Sequence, residues 1–175
     1  MENSFWIPTT ISLVSLFWNY FQSRKILNLE TEAQRKTLIH KFQFEKEFTI
    51  YSELWAKLVD LRNSTLALRP SGELIDPSKT NEERRVEKLK FVWQMMYELC
   101  ETFEKNRPFY AKEVHKEIDE MIKVSKFEAV NFQHGDNRNR QYWEDAESSA
   151  KKIVESMEKL SNMIRKRIEI VETKL

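Results

Sequence analysis

The sequence predicts an all-α protein, in which an N-terminal transmembrane helix continues into a long helix and an antiparallel up-down helical bundle follows. Three observations lead there. Two glycines and four prolines in 175 residues are too few to supply the turns of a sheet protein. Apolar residues recur in steps of three and four along four segments, the spacing of helix faces. Phe5–Phe21 carries no charge, although 33% of the chain is charged. These features divide the chain into a membrane anchor (1–23), a polar helical stalk (24–37) and a four-helix bundle (38–175).

The anchor comes first. Its only charge is Glu2. Seventeen helical residues reach roughly 26 Å, the short end of what crosses a bilayer core. Pro8 falls in the first turn, where its missing N–H costs little. Trp6 at one end, Trp18 and Tyr20 at the other, and then Arg24 and Lys25 form the expected membrane interface. The segment lacks the basic start and small-residue end of a cleaved signal peptide, so it is expected to be retained. Ser12, Ser15 and Asn19 share one helix face and are the candidate packing residues between neighbouring spans.

Nothing basic precedes the span, whereas Arg24, Lys25, Arg35, Lys36, Lys41 and Lys46 follow it. Basic flanks stay cytoplasmic. The expected location is therefore the cell inner membrane, single-pass, with the N-terminus outside and the body in the cytoplasm.

No Pro or Gly interrupts Thr9 to Arg69, so the anchor leads into one very long helix. Residues 24–37 are mostly polar, as in a solvated or weakly coiled stalk. Core character is expected from Leu38, with Phe44, Phe48, Tyr51, Trp55 and Leu58 forming the stripe. Arg69-Pro70 ends the helix. The stretch from Pro70 through Gly72 and Pro77 is the linker. Thr80 and Glu83 then offer a capping box for a second helix reaching about Lys105. Its expected seam is Val86, Leu89, Trp93, Met96, Cys100 and Phe103.

Asn106-Arg107-Pro108 breaks that helix. A third is expected from about Phe109 to Phe132, with Val114, Ile118, Met121, Ile122, Ser125, Ala129 and Val130 inward. Gly135 is expected as its left-handed cap. The fourth starts near Asn137 and keeps Trp143, Ala146, Ala150, Ile153, Met157, Leu160 and Ile164 on one face, with Arg167 interrupting it. Short connections make sequential helices antiparallel neighbours.

Chemistry is sparse. His115 and Asp119 share a helix face, but the charged run HKEIDE reads as a solvated surface rather than a metal site. Cys100 is the single cysteine, so no intrachain disulfide forms, and it reads as a small apolar seam residue. Arg62-Asn63 opens a ribonuclease-like pattern that no histidine completes. No glycine-rich phosphate loop or Glu-x-x-His pair occurs. The reading is that of a non-enzyme with no catalytic, metal or cofactor-binding residues.

The net charge of +1 gives no reason to expect nucleic acid as a partner. Arg138 and Arg140, beside Tyr142 and Trp143, and the run Arg165-Lys166-Arg167 are interleaved with acids and read as solvated faces. Tyr142-Trp143 and Phe109-Tyr110 fall at opposite bundle ends and so do not share a site.

FEKEFTIYSELWAKLVDLRNSTLALRP (Phe44–Pro70), NRPFY (Asn106–Tyr110) and YWEDAE (Tyr142–Glu147) resemble, in order, a group of small uncharacterised prokaryotic proteins. Those have a single N-terminal transmembrane helix and a charged helical body. The resemblance implies the same architecture and brings no catalytic residues.

The expected function is a membrane-tethered, non-enzymatic interaction or scaffold module. Its expected partners are the lipid bilayer and either a protein partner or a homo-oligomer. Two alternatives are an oligomerising membrane effector in a stress or phage response, suggested by Ser12, Ser15 and Asn19, and a sensor bundle holding a small molecule between helices.

Overall fold

Four long helices and one short 3₁₀ turn make up the computed structural model, which describes residues 6–70 and 78–172. Helix α1 is Trp6–Leu66, α2 is Asn81–Asn106, α3 is Lys112–His134 and α4 is Arg140–Glu172. The 3₁₀ turn, Arg107–Phe109, joins α2 to α3. The chain divides into two units with the boundary between Phe44 and Glu45.

Local sequence accounts for most of the boundaries. At the start of α2, the Thr80 hydroxyl accepts from the Glu83 N–H at 3.2 Å and the Glu83 carboxylate accepts from the Thr80 N–H at 2.7 Å, the reciprocal capping box expected. Pro108 sits at the start of the 3₁₀ turn, where its lack of an N–H is harmless. The α3–α4 turn is held by Asp136 and Asn139, whose side-chain oxygens accept from the Arg138 and Gln141 N–H groups.

Gly135 follows α3 but does not adopt the left-handed conformation expected of it: its φ is −74° and its ψ 152°. Glycine is needed there for a different reason. A Cβ would lie 2.5 Å from the Asn131 carbonyl and 2.5 Å from the Tyr142 ring.

Within the unit from Glu45 onward, cross-helix contacts fix the topology. Near one end, Tyr51 of α1 meets Tyr110, which also stacks on Phe103 of α2, and Glu47 meets Arg167 of α4. Near the other, Arg69 meets Glu128 of α3 and the Tyr142 carbonyl of α4, and Arg85 of α2 reaches the end of α3. The helices therefore alternate up and down, as short connections require. Their shared core holds Tyr51, Leu54, Leu58 and Leu61 from α1, Val92, Met96, Leu99 and Phe103 from α2, Val114, Ile118 and Met121 from α3, and Ile153, Met157, Leu160 and Ile164 from α4.

Three expected stripes are corrected. Burial on α1 begins at Ile50 rather than Leu38: Leu38 and Phe48 are exposed, and the packed core of the unit from Glu45 onward takes its first α1 residue at Ile50. On α2 the seam turns by about one residue, to Val92, Met95, Met96, Leu99 and Phe103. Val86 and Trp93 are exposed. Leu89, Val92, Met96, Leu99 and Phe103 also repeat in steps of three and four, and their aliphatic members pack without having to satisfy an indole N–H. On α4, Trp143 is exposed as well.

Candidate functional site

The first candidate region is the part of α1 before the packed body. Trp18 is 67% exposed, Leu38 56% and Phe42 63%, and Leu27 and Ile39 are open too. Isolated apolar side chains on a surface need no explanation, but a series along one helix marks a contact surface. Leu27, Leu38 and Phe42 fall within about 60° of one another at 100° per residue. Arg24 and Lys25 are exposed beside them.

The expected interface and packing residues are only partly visible here. Ser12, Ser15, Asn19, Trp6 and Tyr20 fall within α1, but their side chains lie outside the described residues. Among the described residues no helix is long and apolar enough to cross a membrane. The anticipated span therefore finds no support in the structure; Thr9, Thr10, Ser12, Ser15 and Asn19 dilute the apolar run.

The second region is the bundle end where α1 stops. Arg69 is held there by a fork-to-fork ion pair with Glu128, at 2.5 Å from Nε to Oε1, and its second nitrogen donates to the other carboxylate oxygen. The third nitrogen donates to the Tyr142 carbonyl, and the guanidinium lies 4.2 Å over the Tyr142 ring. The two side chains are 1% and 5% exposed. A buried pair of this kind is sustained only when its remaining donors and acceptors are satisfied. Burial pushes the Tyr142 phenol up, and the Arg69 charge opposes that shift.

Next to this pair a cavity of about 430 Å³ opens between α2 and the α3–α4 turn. Arg84, Arg85 and Lys88 line it from α2, and Phe132, Asp136 and Trp143 line it from the other side. Arg85 donates to the Phe132 and Gln133 carbonyls, closing the C-terminal end of α3. The Trp143 indole N–H donates to the Asn137 carbonyl at 3.0 Å, which fixes the ring.

The opposite bundle end is aromatic. Tyr110 packs edge-on to Tyr51 at 5.5 Å and stacks on Phe103 at 5.7 Å, and burial pushes its phenol up to about 12. His115 packs edge-on to Phe103, and its Nε2 lies 3.0 Å from the Arg107 carbonyl. Among the described residues no group of three His, Cys, Asp or Glu is placed to hold a metal ion. Cys100 is half-buried, and burial together with Glu104 and Asp119 pushes its thiol up, away from the reactive thiolate.

Sequence reasoning missed Arg69, Glu128 and the Arg84–Lys88 face. One signal was present: Ile118, Met121, Ser125 and Glu128 continue a single stripe in steps of three, four and three. A carboxylate at a core position needs a buried cation.

Fold and surface together define an all-helical up-down bundle whose first helix also carries exposed apolar residues. No protein-family model, curated protein or solved structure matches the chain.

Proposed function

We propose that this protein is a membrane-tethered helical interaction module. The early part of α1 serves as the tether, and the exposed apolar residues that follow it dock a protein partner or a second copy. The observation that carries this reading is the run of open side chains at Leu27, Leu38, Ile39 and Phe42 on α1 before Ile50, where burial on that helix begins. Leaving such residues in water forgoes roughly 1.5–3 kcal/mol apiece relative to full burial, so covering them favours association.

The membrane side of the proposal rests on the uncharged Phe5–Phe21 stretch and the basic residues on one side of it only. That asymmetry supports an inner-membrane seat with the N-terminus outside and the body cytoplasmic. The exposed Arg24 and Lys25 add attraction to anionic lipid, worth about 1 kcal/mol per basic residue near the surface.

Fractionation tests this directly. The full chain should remain in the membrane pellet after an alkaline carbonate wash, and protease added from the cytoplasmic side should degrade the body. Release of the chain into the wash would refute the tether.

A further inference from the structure

A second cavity, of about 390 Å³, opens between α1 and α4 near the aromatic end of the bundle, a volume within the range of small-ligand sites. It lies wholly in the unit from Glu45 onward. Its lining is graded from the floor outward. Tyr51 and Ile164 are buried, Trp55 and Ile168 are half-buried, and Ser52, Arg165 and Glu169 at the mouth are exposed. An apolar floor under a few polar groups is the usual layout of a ligand site. The Arg167–Glu47 ion pair, at 3.0 Å, ties the same two helices together.

The polar groups around this cavity are uncommitted. Among the described residues no hydrogen bond or ion pair engages the Arg165 guanidinium, the Ser52 and Ser161 hydroxyls or the Trp55 indole N–H. Comparable groups elsewhere are held: Arg167 by Glu47, and the Trp143 N–H by the Asn137 carbonyl. Glu169, the acid at the mouth, already has an interaction of its own. A half-buried indole N–H favours an acceptor, and a guanidinium at the edge of an apolar floor favours a carboxylate.

We propose that this cavity binds a small aromatic carboxylic acid. Its ring lies against Tyr51, Trp55 and Ile164, and its carboxylate sits at the mouth against Arg165. Tyr51 and Trp55 make half of the apolar lining, which favours a planar ring over an alkyl chain, because aromatic pairs gain from offset or edge-on contact beyond the area they bury. The carboxylate gains a forked contact with the guanidinium. An exposed ion pair alone contributes little, so the site selects molecules that carry both halves.

The test uses the full chain in detergent micelles, isotope-labelled at tryptophan, with the Trp55 indole resonance assigned by Trp55→Phe. Naphthoate should shift that resonance saturably with a Kd below about 1 mM. Naphthylmethanol, which lacks the charge, and acetate, which lacks the ring, should each bind at least about tenfold more weakly. Arg165→Gln should weaken naphthoate binding by about fivefold or more, and so should Ser161→Leu, which narrows the cavity and leaves the charge in place. Lys151→Gln, an equal charge change at an exposed α4 position outside the lining, should leave it within about twofold. Circular dichroism confirms that each variant is folded. A shift that grows without saturating, as partition into detergent would give, the alcohol binding as tightly as the acid, or equal weakening by Lys151→Gln would each overturn the proposal.

Discussion

The two ends of the bundle carry the same contact in different surroundings. At one, Arg69 and Glu128 form a forked pair with side chains 1% and 5% exposed. At the other, Arg167 and Glu47 form a forked pair at 3.0 Å and 3.0 Å with side chains 42% and 24% exposed. The first ties the turn that follows α1 to α3 and the second ties α1 to α4, and Glu128 and Arg167 each place a charge where an apolar stripe would continue. Burial decides what each is worth. Removing one partner of the dry pair strands a charge away from water, whereas the wet pair loses a contact that solvent replaces.

The largest expected effect comes from stranding Arg69. Glu128→Gln should lower the unfolding free energy by about 3–5 kcal/mol in urea titrations; a loss under about 1 kcal/mol would mean that water reaches the pair. Gly135→Ala comes next, because the new methyl would press on the Tyr142 ring and the Asn131 carbonyl. It should cost about 1–3 kcal/mol, as overpacking does, and it loosens the dry end without touching either charge.

The aromatic end has a pH signature of its own. The Tyr110 phenol is raised from 10.0 to about 12 by burial. The unfolded chain therefore releases this proton first, so the stabilisation is complete below pH 10 and is lost as pH rises toward 12. Denaturation midpoints should fall across that window, and less so in Tyr110→Phe. The smallest effect belongs to the wet pair: Glu47→Gln should cost about 1 kcal/mol or less and become undetectable at high salt. If it matched Glu128→Gln, burial would not be what separates the two ends.

How much of this was legible in the sequence depends on the residue. The capping box at Thr80 and Glu83 and the stripe through Val114, Ile118 and Met121 were readable because their causes are local. The face of α2 was not, since Val86–Trp93 and Leu89–Val92 offer rival seams of equal period and tertiary packing chooses between them. Gly135 was recognised as a helix end, but the reason for glycine is the closeness of the Asn131 carbonyl and of the Tyr142 ring seven residues on, rather than a left-handed backbone. The basic cleft was hidden because its charges come from α2 while Asp136 comes from the α3–α4 turn and Trp143 from the first turn of α4. Arg167 was visible as an interruption, but its partner Glu47 lies 120 residues away.

Helix α1 holds packed apolar residues from Ile50 onward and open ones before it. Replacing Leu27, Leu38, Ile39 and Phe42 together with Ser in the full chain separates association from stability. Chemical cross-linking in membranes should trap the unaltered chain with a partner or a second copy and should fail to trap the variant, while the unfolding midpoint of the body stays unchanged. Undiminished cross-linking in the variant, or a collapsed midpoint, would contradict the claim that this stretch is a docking surface.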